Sequence, residues 1–128
     1  MLAEREAQDA AAVSLVRNAL TAVERARIDS SGYDSLTLAD LQRVEPAYVW
    51  RLADSDLVNP TSPKIFPEVT ARADLNQVDY YGQSADTFDV ASISASGNRF
   101  AIQVKTAGAA STTYVKAKQI EGVTVTGW

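Results

Sequence analysis

The stretch from Leu2 to about Asp29, LAEREAQDAAAVSLVRNALTAVERARID, sets the terms for the rest of the chain. It holds no Gly and no Pro and is rich in Ala, Leu, Glu and Arg, so local propensity favours helix throughout. Val13, Val16, Ala19, Leu20, Val23 and Ala26 recur at spacings of three and four and fall on one stripe of a 3.6-residue helix. Arg17, Glu24, Arg25 and Asp29 lie off that stripe. The 26 residues from Glu4 to Asp29 would make a rod of about 39 Å, against an average globular helix of about 11–12 residues. The remainder of a 128-residue chain is too short to cover the whole rod.

The two halves of the rod differ. Val13, Leu15, Val16, Leu20 and Val23 give the second half bulk, whereas the first runs Ala3-Glu4-Arg5-Glu6-Ala7-Gln8-Asp9-Ala10, with only Leu2 large and apolar. A core needs bulk, so the folded domain belongs against the second half. The first half is expected to project, as a fraying end or as a contact surface for something outside this chain.

The segment Ser30-Ser31-Gly32-Tyr33-Asp34-Ser35 is a turn-rich break. Thr37 can N-cap a short helix over residues 38–44. Asp40 sits where an acidic group reaches back to the cap, Leu36 and Leu41 are placed as a hydrophobic staple, and Pro46 lies past the end. Tyr48, Val49, Trp50 and Leu52 form an apolar group expected as a short extended piece on the core. Pro60, Pro63 and Pro67 then argue for an irregular loop, pinned by Ile65, Phe66 and Val69. From Gln77 the period changes to two. Val78 and Tyr80 alternate with Asp79 and Tyr81; Phe88 and Val90, then Phe100, Ile102 and Val104, mark further strands, followed by residues 112–118 and 123–126. Short connections imply an antiparallel meander, and its half-buried face needs the first helix as cover. The expected fold is one α+β domain over residues 1–128. It has a long helix (2–29), a connecting region (30–75) and a four- to five-stranded antiparallel sheet (76–128) packed on that helix.

Composition narrows function mainly by exclusion. The net charge is −4, and the first and second 64 residues carry −3 and −1. Neither half is a basic patch, so no nucleic-acid partner is expected. The chain has no Cys and no His, which removes Cys nucleophiles, Ser–His pairs and the commonest zinc ligands. No apolar run long enough for a transmembrane helix is present, nor a signal peptide.

Asp54-Ser55-Asp56 with Asn59 offers oxygen ligands that suit calcium, but lacks the Gly and later Glu of a calcium loop, so it reads as an exposed polar turn. Glu45, Asp79, Asp86 and Asp89 could pair for acid–base chemistry. With no accompanying nucleophile or oxyanion loop, they read as solvated strand and turn charges. Of the adjacent Tyr80 and Tyr81, at most one can be buried in a strand. Asn59 is followed by Pro60, which blocks glycosylation there. No catalytic residue, metal or cofactor is expected.

Residues 7–12 with Arg17-Asn18-Ala19-Leu20-Thr21-Ala22-Val23-Glu24 resemble the exposed half of the long helix of bacterial type IV pilins and pseudopilins. Asp86-Thr87-Phe88, Ala91-Ser92 and residues 94–100 resemble the family's first sheet hairpin. The resemblance implies a pilin-like structural subunit of an extracellular filament on the cell surface, made as an inner-membrane precursor. Its partners would be other pilin subunits and the inner-membrane assembly machinery. The apolar half-helix that anchors the precursor would precede Leu2 and is the implied route to a membrane. Subunit contacts would run through Leu2, Glu4, Arg5, Glu6 and Asp9, with charge pairs fixing register. Many pilins carry a disulfide near the C-terminus. Here strand pairing and packing around Val123, Val125 and Trp128 would hold that end instead. A pseudopilin of a type II secretion system is the close alternative, and a small ligand-binding α+β domain the distant one. The sequence does not separate motility, adhesion, DNA uptake and secretion.

Overall fold

The computed structural model describes residues 2–107, 111–126 and 128. Helix α1 (Leu2–Ile28) is continuous over 27 residues. Its inward stripe is Ala12, Leu15, Val16, Ala19, Ala22, Val23 and Ala26, all buried. Four of these seven are alanines, so the helix can lie close to the sheet beneath it. A 3₁₀ turn at Tyr33–Ser35 follows. Helix α2 (Leu38–Val44) is closed by a full capping box, in which Asp40 N donates to Thr37 Oγ1 at 3.2 Å and Thr37 N to Asp40 Oδ2 at 2.9 Å. Leu36 and Leu41, the staple pair, are both buried.

Strands β1 (Val49–Leu52), β2 (Gln77–Ser84), β3 (Thr87–Ile93), β4 (Arg99–Ala107), β5 (Ser111–Ile120) and β6 (Val123–Thr126) form one sheet in sequence order. From β2 to β6 the pairing is antiparallel, but β1 runs parallel to β2, with Trp50 opposite Val78 and Leu52 opposite Tyr80. The expected four- to five-stranded antiparallel sheet is therefore corrected to six strands in a mixed sheet; the class remains α+β. Short turns reveal strands that follow one another directly. A parallel neighbour needs a long crossover, and here the chain from Ala53 to Asn76, with its three prolines, makes it. Residues 108–110, between β4 and β5, lie outside the described residues.

The sheet is covered on both faces. On the inner face, α1, the 3₁₀ turn and α2 pack on Trp50, Val78, Tyr80, Phe88, Val90, Ile102 and Val104. On the outer face the crossover lays Leu57, Val58, Ile65 and Val69 on Ala91, Ala101 and Ala117. Tyr80 is buried and its hydroxyl donates to Tyr33 O at 2.6 Å, while Tyr81 is half-buried. That 3₁₀ turn rides directly over β2: a Cβ at Gly82 would stand 2.3 Å from Tyr33 O. Val123 and Val125 are exposed, so they do not supply the packing expected of them. Trp128 folds back instead, Nε1 donating to Ala117 O at 2.9 Å and the ring meeting Phe100 edge-on.

Candidate functional site

The front of α1 is where the contact residues were expected, and its side chains divide into two groups. Ala3, Glu4, Arg5, Glu6 and Ala7 are exposed. Leu2 opens the helix, and its side chain lies outside the described residues. Asp9 turns back into its own domain. It accepts hydrogen bonds from Ser94 Oγ (2.7 Å), Ser96 Oγ (2.7 Å) and Asn98 Nδ2 (2.8 Å) in the β3–β4 turn. Burial alone would raise its pKa, but these hydrogen bonds, with Arg5 nearby, outweigh that and hold the carboxyl below the ordinary range.

Arg5 reaches the other turn at this end of the sheet, pairing with Glu121 at 3.1 Å. Glu121 and Gly122 both have positive φ, 52° and 81°, as a two-residue type I′ hairpin turn requires. Glu121 occupies a position that favours glycine or asparagine, and two contacts hold it there. Asn98 Oδ1 accepts its backbone N–H at 2.9 Å, and Arg5 takes its carboxylate. Asn98 thus ties the helix to both turns at once. The front half of α1 is fastened at Arg5 and Asp9 and open to solvent between Ala3 and Ala7.

Arg5, Glu6, Asp9, Ser96, Asn98 and Glu121 also line a surface cavity of about 470 Å³. Its polar groups are largely engaged with one another: Asp9 holds three donors, Arg5 holds Glu121, and Asn98 bridges. They cross-brace the fold rather than converge on an empty point.

The other acidic candidates do not come together. Glu45 accepts from Ala47 N and Asp86 from Ser84 and Thr87 near the surface. Asp79 and Asp89, expected as solvated charges, are fully buried on the outer face beneath the crossover. Asp79 accepts from Thr70 N (2.6 Å) and Ala71 N (3.0 Å) and pairs with Arg51 at 3.1 Å. Asp89 accepts from Leu57 N (2.8 Å) and Gln103 Nε2 (2.9 Å). Both therefore satisfy backbone N–H groups of a loop with little regular structure of its own. Burial, with the Asp56 carboxyl facing it, pushes Asp89 up to about 7. Asp56 Oδ1 is itself buried without a hydrogen-bond donor; a proton shared between the two acids would supply one.

Of the calcium candidates, Asn59 Oδ1 is taken by Thr61 N, Thr61 Oγ1 and Ser62 N in its own turn. Asp54 is exposed and Asp56 points toward Asp89. Among the described residues no three acidic side chains converge as a metal would need, and no helix is long and apolar enough to cross a membrane.

No protein-family model, no curated protein and no solved structure matches this chain.

Proposed function

We propose that this chain is a structural subunit of a type IV pilin filament, assembled through its N-terminal helix. One observation carries the reading: α1 buries its second half, from Ala12 to Ala26, in its own domain and leaves Ala3–Ala7 exposed. A helix end that adds no side chain to its own apolar core is suited to packing in another. The fastening at Arg5 and Asp9 supports the reading further. A rod that transmits load between neighbours must not hinge on the domain that it carries, and these side chains brace it beyond the apolar core. Glu4 and Glu6 are then the exposed acids that a neighbour would meet.

The test uses the complete gene product in the cell that makes it. Filaments sheared from those cells are expected to contain the chain, identified by mass spectrometry of its peptides. Glu6→Lys is expected to lower filament yield at least tenfold while shifting the isolated domain's stability by no more than ~0.5 kcal/mol, as for other surface changes. Absence of the chain from every filament fraction would sink the proposal. Filaments confined to the periplasm would replace it with the secretion pseudopilus.

A further inference from the structure

Among the strands, helix α1 packs mainly on β3 and β4, and beyond β4 the inner face of β5 lies open. There Leu20, Ile102, Tyr114 and Trp128 line a groove of about 490 Å³ with Arg17 and Lys116. Two cations converge on one indole: Arg17 Cζ lies 5.7 Å and Lys116 Nζ 5.8 Å from the centre of the Trp128 ring. Neither has a carboxylate partner among the described residues. Tyr114 is 55 % exposed at the rim. An aliphatic and aromatic floor beside two unneutralised cations calls for an occupant that is apolar and anionic at once.

The chain carries such a group elsewhere on its own surface. Ile28, at the end of α1, is 79 % exposed, more than any other large apolar side chain described. Asp29 follows it, exposed and without a hydrogen bond or ion pair among the described residues. The comparable neighbours are already engaged. Asp74 beside Leu75 pairs with Arg72, and Glu121 near Val123 pairs with Arg5. We infer that the groove formed by Arg17, Leu20, Tyr114, Lys116 and Trp128 receives the Ile28–Asp29 tip of a second copy of this chain.

Groove and tip are different patches, so each copy offers both and the contact is heterologous. Such contacts extend into open chains unless the rotation closes a ring. The inference thus names a second contact for the proposed filament and rests on that reading. One tip in one groove is far smaller than a stable dimer interface, so the free domain associates weakly and needs its other contacts to hold.

The chain has no cysteine, which makes cross-linking clean. In the double variant Asp29→Cys, Lys116→Cys the two thiols cannot meet within one copy. Residue 29 lies about 18 Å along α1 from Arg17 at the groove, well beyond disulfide reach. Oxidation of filament-bearing cells, and of the concentrated purified domain, is expected to give a ladder of dimers, trimers and higher species. Asp54→Cys with Lys116→Cys is the control. Asp29→Lys alone is expected to lower filament yield at least fivefold, and Lys116→Glu added to it to restore most of the loss. Filaments without a 29–116 ladder, or with a stronger 54–116 ladder, would overturn this contact and leave the filament reading intact. A ladder from the purified domain when cells yield no filaments would keep the contact and remove the filament.

Discussion

Asp89 is a carboxyl group in a place where charge is costly. It is wholly buried, it faces Asp56, and its pKa is pushed up to about 7 by burial first and by that neighbour besides. In the unfolded chain it titrates near 3.8. Between those values the folded protein holds a proton that the unfolded chain has released. This group's contribution to stability therefore falls as pH rises from about 4 to about 7, and stays low above that. Asp9, Asp40 and Asp86, all held below the ordinary range, act with the opposite sign and lose their contribution as pH drops below about 4. Urea melts between pH 5 and pH 8 isolate the Asp89 effect. The wild-type midpoint is expected to decline across that window. Asp56→Asn replaces the facing charge with an amide donor, and is expected to flatten the decline and add about 1–2 kcal/mol at pH 8. Parallel curves for the two proteins would show that the acids do not interact.

At the scale of elements, the sequence revealed what is decided locally and hid what is decided across the fold. The capping box of α2 was legible because Thr37 and Asp40 stand three residues apart. The meander was legible because its strands follow one another through short turns. Asp9 looked like a surface charge because its partners lie 85 to 89 residues away. Asp79 and Asp89 looked solvated because alternation alone sends them to the face away from the helix. That face is not wet, since the crossover covers it. A signal existed: Leu57, Val58, Ile65 and Val69, all buried, are too apolar a set for a loop in water, and two acids aligned beneath them could meet its unpaired N–H groups. The strap at Asp9 yields a direct test. Asp9→Ala leaves the donors of Ser94, Ser96 and Asn98 without their acceptor and is expected to cost about 1–3 kcal/mol. Hydrogen exchange should quicken over residues 5–10 while the amides from Val16 to Ala26 stay protected. Uniform quickening along α1 would mean that the strap does not set the helix's local stability.

Across the whole molecule, the inner layer joins distant parts of the sequence. Val16 and Val23 from the start meet Ile102 and Val104 from β4 in one cluster, with Trp128 packed against it. The outer layer depends on β4 and β5 in the same way, through Ala101 and Ala117. A chain ending at Ile93 would keep both helices and three strands yet lose cover for both layers. It is expected to show helical circular dichroism without a cooperative thermal transition. A sharp transition in that fragment would place the stabilising contacts elsewhere.

The same arrangement bears on how the protein is made. Helix α1 leaves the ribosome ahead of the sheet, and the β4 residues that close over Val16 and Val23 follow roughly 80 residues behind. At ordinary elongation rates that is a wait of roughly 4–16 s. Throughout that interval Val16 and Val23 lack the part of their cover that Ile102 and Val104 supply. A nascent chain of this design keeps part of its long apolar stripe in water until its fourth strand has been made.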